Sequence, residues 1–258
     1  PNYQPLVLPE ETIARIQNLS NQMQQKYLSL QLQNFLYGIY YNGFLQNQLA
    51  LNNQTNNLPI DLDNNSILGI DVDFYEQLHE SNCGAGFFDP GWFILREEND
   101  KSFAEKKGIL SLHFQREKHL QDFQKNAVVG DNIAIKMPKN LIQNGFYLAV
   151  SNTEPESKQN MVRGYFNITP EGAVTVMHRL TQTLNDIPIF FHFKVLYNPA
   201  EYNRHDSGVL YIEKPNYEAV RKALETVYSE NKSHFKSEIP LFTKQLAPGL
   251  GLAEVQAS

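Results

Sequence analysis

A single cysteine, Cys83, stands in 258 residues, so an intramolecular disulfide and a cysteine-based metal cluster are both excluded, and a reducing cytoplasm is the expected setting. Net positive charge is missing as well. With 22 basic against 28 acidic side chains the formal net charge is -6, which removes any general attraction to nucleic acid or an anionic membrane; a cationic site has to be local. No apolar run reaches the length of a bilayer span, and "PNYQPLVLPEET" lacks the charged and apolar regions that a signal peptide combines. There is no internal repeat, and the glycines of "CGAGFFDPGW" (83–92) complete no dinucleotide-binding fingerprint.

What is present is enough apolar and aromatic material for one large globular unit. Ile16, Leu19, Met23, Tyr27 and Leu30 recur at three- and four-residue spacing, which predicts an amphipathic helix over 10–33 with a packing stripe. The stretch "NFLYGIYYNGF" is aromatic and punctuated by glycine. "NQLALNNQTNNLPIDLDNNS" (47–66) is so rich in Asn and Gln that a solvated loop is expected. That loop divides a helical N-terminal segment, 1–66, from a main domain, 67–258. A short helix is predicted over 73–82, and strands over "WFILRE", 108–114, 132–137, 145–151 and 162–168, with turns at Gly130-Asp131 and Asn144-Gly145. Such short connections favour antiparallel pairing.

The C-terminal third is read most directly. Thr169 followed by Pro170 and Glu171 marks a helix start, with Val174, Met177, Leu180 and Leu184 as its buried stripe. Alternation over 188–196 sends Ile189, Phe191, Phe193 and Val195 to one face and Phe190, His192, Lys194 and Leu196 to the other. A strand over 209–213 and a helix over 216–228 follow. Mixed element order without βαβ alternation indicates an α+β fold, a mainly antiparallel sheet flanked by helices.

Lys194 poses the functional question, because a charged amine among apolar neighbours needs water, a cleft or a counter-charge. It is either a solvated lysine or part of a cluster with His192 on its own face and Arg204, His205 and Asp206 in the following loop. Such a cluster would grip a phosphate by charge-assisted hydrogen bonds, or lower the lysine's proton affinity so that the neutral amine serves as a base. Lys136, Arg163 and Lys244 are further phosphate-ligand candidates, each with a plain solvated reading beside it. His113 and His119 do not have ligand spacing, so no metal is expected. Asp71 and Asp73 read as capping residues, His178 as a surface or packing residue, and Cys83 as a structural thiol with no base nearby in sequence.

The ordered segments "GDNIAIKMPKNLIQNGFYLAVSN", "RGYFNITPEGA", "FHFKVLYNPAEYNRHDSGVLYI" and "LFTKQLAPGLGLAE" resemble the HopA family of type III secretion effectors over roughly 68–254. They are similar in particular to stand-alone homologues in class V lanthipeptide and related ribosomal-peptide clusters, and distantly to phosphothreonine lyases. The resemblance implies a phosphothreonine-lyase-like core with an N-terminal helical extension. It also implies β-elimination of phosphate from phosphoserine or phosphothreonine, giving dehydroalanine or dehydrobutyrine in a precursor peptide. A separate kinase and cyclase would be partners, no cofactor is needed, and nucleic acid and membrane are not expected as partners. Phe193-Lys194-Val195 matches the lyases' "FKV" strand, which makes Lys194 the implied base, and Arg204 matches their phosphate-binding arginine. The lyases' upstream Lys-x-His pair is absent from Arg163-Gly164-Tyr165-Phe166-Asn167, so the acid is Tyr165 or His192, or the phosphate leaves as a clamped dianion. The same resemblance also admits a non-catalytic phosphopeptide- or protein-binding module.

Overall fold

The protein is described by a computed structural model over residues 10–45, 66–67, 69–98, 101–106, 110–154 and 160–254. Two helices, α1 (Glu10–Gln17) and α2 (Asn21–Leu36), take the place of the one helix predicted over 10–33. Ser20 interrupts it by accepting the Met23 N–H on its side chain at 3.4 Å, which ends one helix and caps the next. The expected packing stripe is not buried: Leu19, Met23 and Leu30 are exposed, and α2 has no buried residue. Its last turn widens into a π-turn, Tyr37–Tyr41, and only there does this arm bury Gly38 and Ile39. The loop predicted over 47–66, and with it the division at 66/67, lies outside the described residues apart from Ser66.

Next come β1 (Ser66–Ile67), β2 (Ile70–Asp71) and α3 (Val72–Ser81), which starts where the Asp71 carboxylate accepts the Phe74 N–H at 2.9 Å. Strands β3 (Phe88–Glu98), β4 (Lys101–Lys106), β5 (Leu110–Phe114) and, after the one-turn helix α4 (Arg116–His119), β6 (Asn132–Lys136) form an antiparallel sheet ordered β5-β4-β3-β6. Trp92, Ile94, Phe114, Ile133 and Ile135 are its core.

The larger sheet contains β7 (Asn140–Gln143), β8 (Phe146–Val150), β9 (Met161–Phe166), β10 (Phe191–Leu196), β11 (Gly208–Glu213), β12 (Lys244–Ala247) and β13 (Leu250–Glu254). Its order is β12-β13-β9-β11-β10-β8-β7, antiparallel throughout. The polar β7 shows no alternation of its own; it pairs because Asn144-Gly145, with Gly145 at φ 83°, turns the chain back onto β8. Helix α5 (Pro170–Asn185) begins at the predicted Thr169, whose hydroxyl accepts the Gly172 N–H at 3.1 Å. With α6 (Tyr217–Asn231) it covers one face of the sheet. Phe191, Phe193 and Val195 pack there with Met177, Leu180, Leu184, Leu224 and Val227.

Strand parity then decides where the polar residues go. In antiparallel pairing, directly opposed residues share a face. Lys194 opposes Val209, which opposes Tyr165; His192 opposes Tyr211, which opposes Arg163. All six therefore lie on the face away from α5 and α6. The strands of Arg163 and Lys194 are not direct neighbours, because β11 pairs with both and stands between them.

This alternation makes a stability contrast between adjacent residues. Phe193, fully buried and edge-on to Phe166 with ring centroids 5.2 Å apart, should cost about 3–5 kcal/mol on Phe193→Ala. Lys194→Ala, one residue on, loses two cation–ring contacts but also a like charge beside two arginines, and should cost no more than about 2 kcal/mol. Urea unfolding of both variants measures the difference.

Candidate functional site

On the outer face, cations and aromatic rings alternate. The Tyr211 ring carries the Arg163 guanidinium at 5.4 Å and the Lys194 ammonium at 5.5 Å from its centroid. The Phe146 ring carries Lys194 at 4.4 Å and Arg204 at 5.6 Å. Arg163, Lys194 and Arg204 are thus held in one row, each sharing a ring with its neighbour. Ring quadrupoles attract cations without neutralising them, so the row brings three like charges together. It keeps them available to an anion.

Their polar partners differ. Arg204 is gripped by the buried Asp206, with its Nε at 2.8 Å and Nη2 at 2.9 Å from the two carboxylate oxygens. Burial works against the Arg204 charge, but this carboxylate outweighs it and raises the guanidinium above its ordinary value. Its Nη1 is left out of that fork. Arg163 is also raised: burial opposes its charge, and the neighbouring Tyr165 favours it. Lys194 Nζ reaches the Gln143 side-chain oxygen at 3.5 Å. Among the described residues neither Arg163 nor Lys194 is paired with a carboxylate.

The N-terminal arm closes this face from above. Tyr41 donates its hydroxyl to that of Tyr165 at 2.7 Å and stands edge-on over it, while Tyr37 stacks on Tyr41 with centroids 4.5 Å apart. Burial first, then the bond with Tyr165, drives the Tyr41 phenol far above its ordinary value. Tyr37 is raised by burial and then by Asp206. Asn42 and Gly43 fasten the arm: the His205 N–H donates to the Asn42 carbonyl at 2.6 Å. At Gly43 (φ 74°) a Cβ would come within 2.5 Å of the His205 ring, so only glycine fits between arm and loop.

The structure therefore brings together Lys194, Arg163, Arg204 and Tyr165 of the sequence-predicted residues, with His192 one register step away against Phe190. It separates the others. Lys136 belongs to the smaller sheet, where its Nζ donates to the Gly86 carbonyl at 3.2 Å and lies over Phe88. Lys244 opposes Leu252, which opposes Gly164, so parity puts it on the helix face, in a recess with Lys214, Tyr217 and Glu254. The His205 ring turns away under the arm into a recess with Asn167, Lys236 and Glu238. Cys83 has no base nearby in sequence, but the fold brings a distant histidine to it: its exposed Sγ is 3.3 Å from His178 Nδ1. Among the described residues no three His, Cys, Asp or Glu side chains gather to hold a metal, and no helix is long and apolar enough to cross a membrane. Sequence reasoning missed Tyr41, Tyr37, Tyr211, Phe146 and Gln143. The signal for the first two was the "LYGIYYNG" stretch itself.

Residues 137–258 match the model of the HopA1 effector protein family. Among solved structures, the effector protein from Pseudomonas syringae pv. tomato strain DC3000 is 17% identical over 71% of this chain and 62% of its own, with a TM-score of 0.41. The effector protein from Pseudomonas syringae pv. syringae strain 61 is 23% identical over 43% of this chain and 44% of its own, with a TM-score of 0.37. The chain spans less than two thirds of the length of either effector. No curated protein matches.

His205 gives the arm a pH dependence. Burial holds its imidazole below the usual 6.5, against Glu238 and Asp206, with Lys236 adding to the depression. As pH falls through that value the unfolded chain protonates first, so stability declines toward acid. Unfolding free energy measured from pH 7 to pH 5 should fall, and His205→Asn should fall less. His79, also lowered by burial, accounts for a residual slope.

Proposed function

We propose that the chain is a HopA1-type protein that eliminates phosphate from phosphoserine or phosphothreonine in a peptide, leaving a dehydroamino acid. The observation that carries the reading is the row Arg163, Lys194, Arg204 around Tyr211 and Phe146. Two of these cations have no carboxylate partner among the described residues. The family match over 137–258 covers all of them, and the resemblance of Phe193-Lys194-Val195 to the lyases' strand motif assigns the base.

In this reading the phosphate sits between the Arg163 and Arg204 guanidiniums, and Lys194 gives its ammonium proton to solvent before it acts as base. The neutral Lys194 amine takes the α-proton; the electrons of the Cα–H bond form the Cα=Cβ double bond; the Cβ–O bond breaks and its electron pair leaves on the phosphate oxygen. Arg163 and Arg204 offset the charge that develops there. Tyr165 accepts a hydrogen bond from Tyr41, so its own proton is directed elsewhere, which suits a donor to the leaving oxygen. The substrate would be a phosphorylated precursor peptide delivered by a separate kinase, with a cyclase consuming the product. Lys136 and Lys244 have no part in it.

A second reading, phosphopeptide binding without turnover, is favoured by one observation. Tyr165 is only 5% exposed beneath Tyr41, so the arm must shift before Tyr165 meets a leaving group.

The test is incubation with a phosphothreonine peptide, read by mass for loss of phosphoric acid. Lys194→Ala should lower the rate at least a hundredfold, with peptide affinity kept within a fewfold. Binding without elimination in the wild-type protein would leave only the second reading.

A further inference from the structure

The arm and the C-terminal loop leave an open groove of about 680 Å³ beside the cation row. Leu32, Leu36 and Tyr40 of the arm form one wall, Leu241 and Phe242 the other, and Arg163 closes its sheet end. The wall residues are apolar yet exposed: Leu32 by 60%, Tyr40 by 53% and Phe242 by 89%. Phe242 also holds φ at 66°, a left-handed conformation that is unfavourable for a bulky side chain and is kept only where surrounding structure imposes it. A strained, projecting phenylalanine opposite an exposed leucine row adds nothing to this chain's own core.

Charge narrows the occupant. At the groove's closed end stands Arg163, with no carboxylate partner among the described residues, and beyond it Lys194 shares the Tyr211 ring. A molecule fitting both parts is anionic at one point and apolar a short distance away. Arg163 on β9 and Lys194 on β10 stand on either side of β11, so about 10 Å separates their strands at a spacing of about 4.8 Å. An extended peptide covers that in about three residues.

Resting on the proposed phosphopeptide reading, we infer that this groove is a specificity subsite for the substrate peptide. It takes one leucine-like or aromatic side chain about two to four residues from the phosphorylated one. The arm is then part of the binding surface, and a peptide with only polar residues at that distance loses the contact with Leu32, Tyr40 and Phe242.

Full-length Lys194→Ala protein, which binds without turnover, is titrated calorimetrically with phosphothreonine peptides carrying leucine or glycine three residues to either side. The leucine peptide on one side should bind about tenfold more tightly, the scale of one partly buried leucine. Leu32→Ser and Tyr40→Ala, both at exposed positions, should each remove that preference while leaving the glycine peptide's Kd unchanged. Equal binding of all peptides, or a preference that survives both variants, overturns the assignment. So does a concentration-dependent dimer that Leu32→Ser abolishes, since the groove would then hold a second copy. Elimination by the wild-type protein is read separately on the glycine peptide. Turnover without leucine preference sinks the groove alone, and preference without turnover sinks the lyase reading alone.

Discussion

Everything proposed for this protein depends on three cations being held close together without being neutralised. Left to themselves, Arg163, Lys194 and Arg204 would repel and seek separate carboxylates. Tyr211 and Phe146 prevent this, each ring being shared by two of the cations. Each cation–ring contact contributes about 0.5–2 kcal/mol depending on how dry it is, enough to fix the spacing. Among the described residues Arg204 alone of the three is matched by an acid, Asp206, two positions on in the loop that leads into β11. The balance of the row stays positive in a chain whose net charge is -6.

The sheet's two faces divide the labour. On the helix side Phe191, Phe193 and Val195 lock β10 into a core with no exposed atoms to speak of, and that rigidity fixes the direction in which Lys194 projects. On the other side the N-terminal arm lays a π-turn, a helical irregularity often found at functional sites, over Tyr165 and Arg204. Its position is set by a few contacts: the Tyr41–Tyr165 hydroxyl pair, the Asn42 carbonyl and the fit of Gly43 on His205. The same arm covers the proposed acid and walls the apolar groove, so movement of the arm, substrate entry and peptide selection are coupled by construction.

Local pattern made part of this legible. Period-two alternation placed Phe193 and Lys194 on opposite faces, the Thr169 and Asp71 caps set two helix starts, and Asn144-Gly145 marked a hairpin. Strand order was not legible, because nothing local records that β11 inserts between β9 and β10. Lys136 and Lys244 resembled ligands by residue type, yet sheet membership and parity took them elsewhere. The α2 stripe had the spacing of a packing face but meets the body only at its last turn. Tyr41 stood in a visible aromatic stretch, but its role did not show, because its partner is 124 positions away.

The most direct measurement is a crystal structure of the Lys194→Ala variant with a phosphothreonine peptide bound. The account predicts the phosphate on the outer face of the larger sheet, bonded to Arg204 Nη1 and Arg163, with the peptide's α-carbon facing the space vacated at position 194. A phosphate seated on the helix face beside Lys244 and Lys214, with the outer row empty, would contradict it.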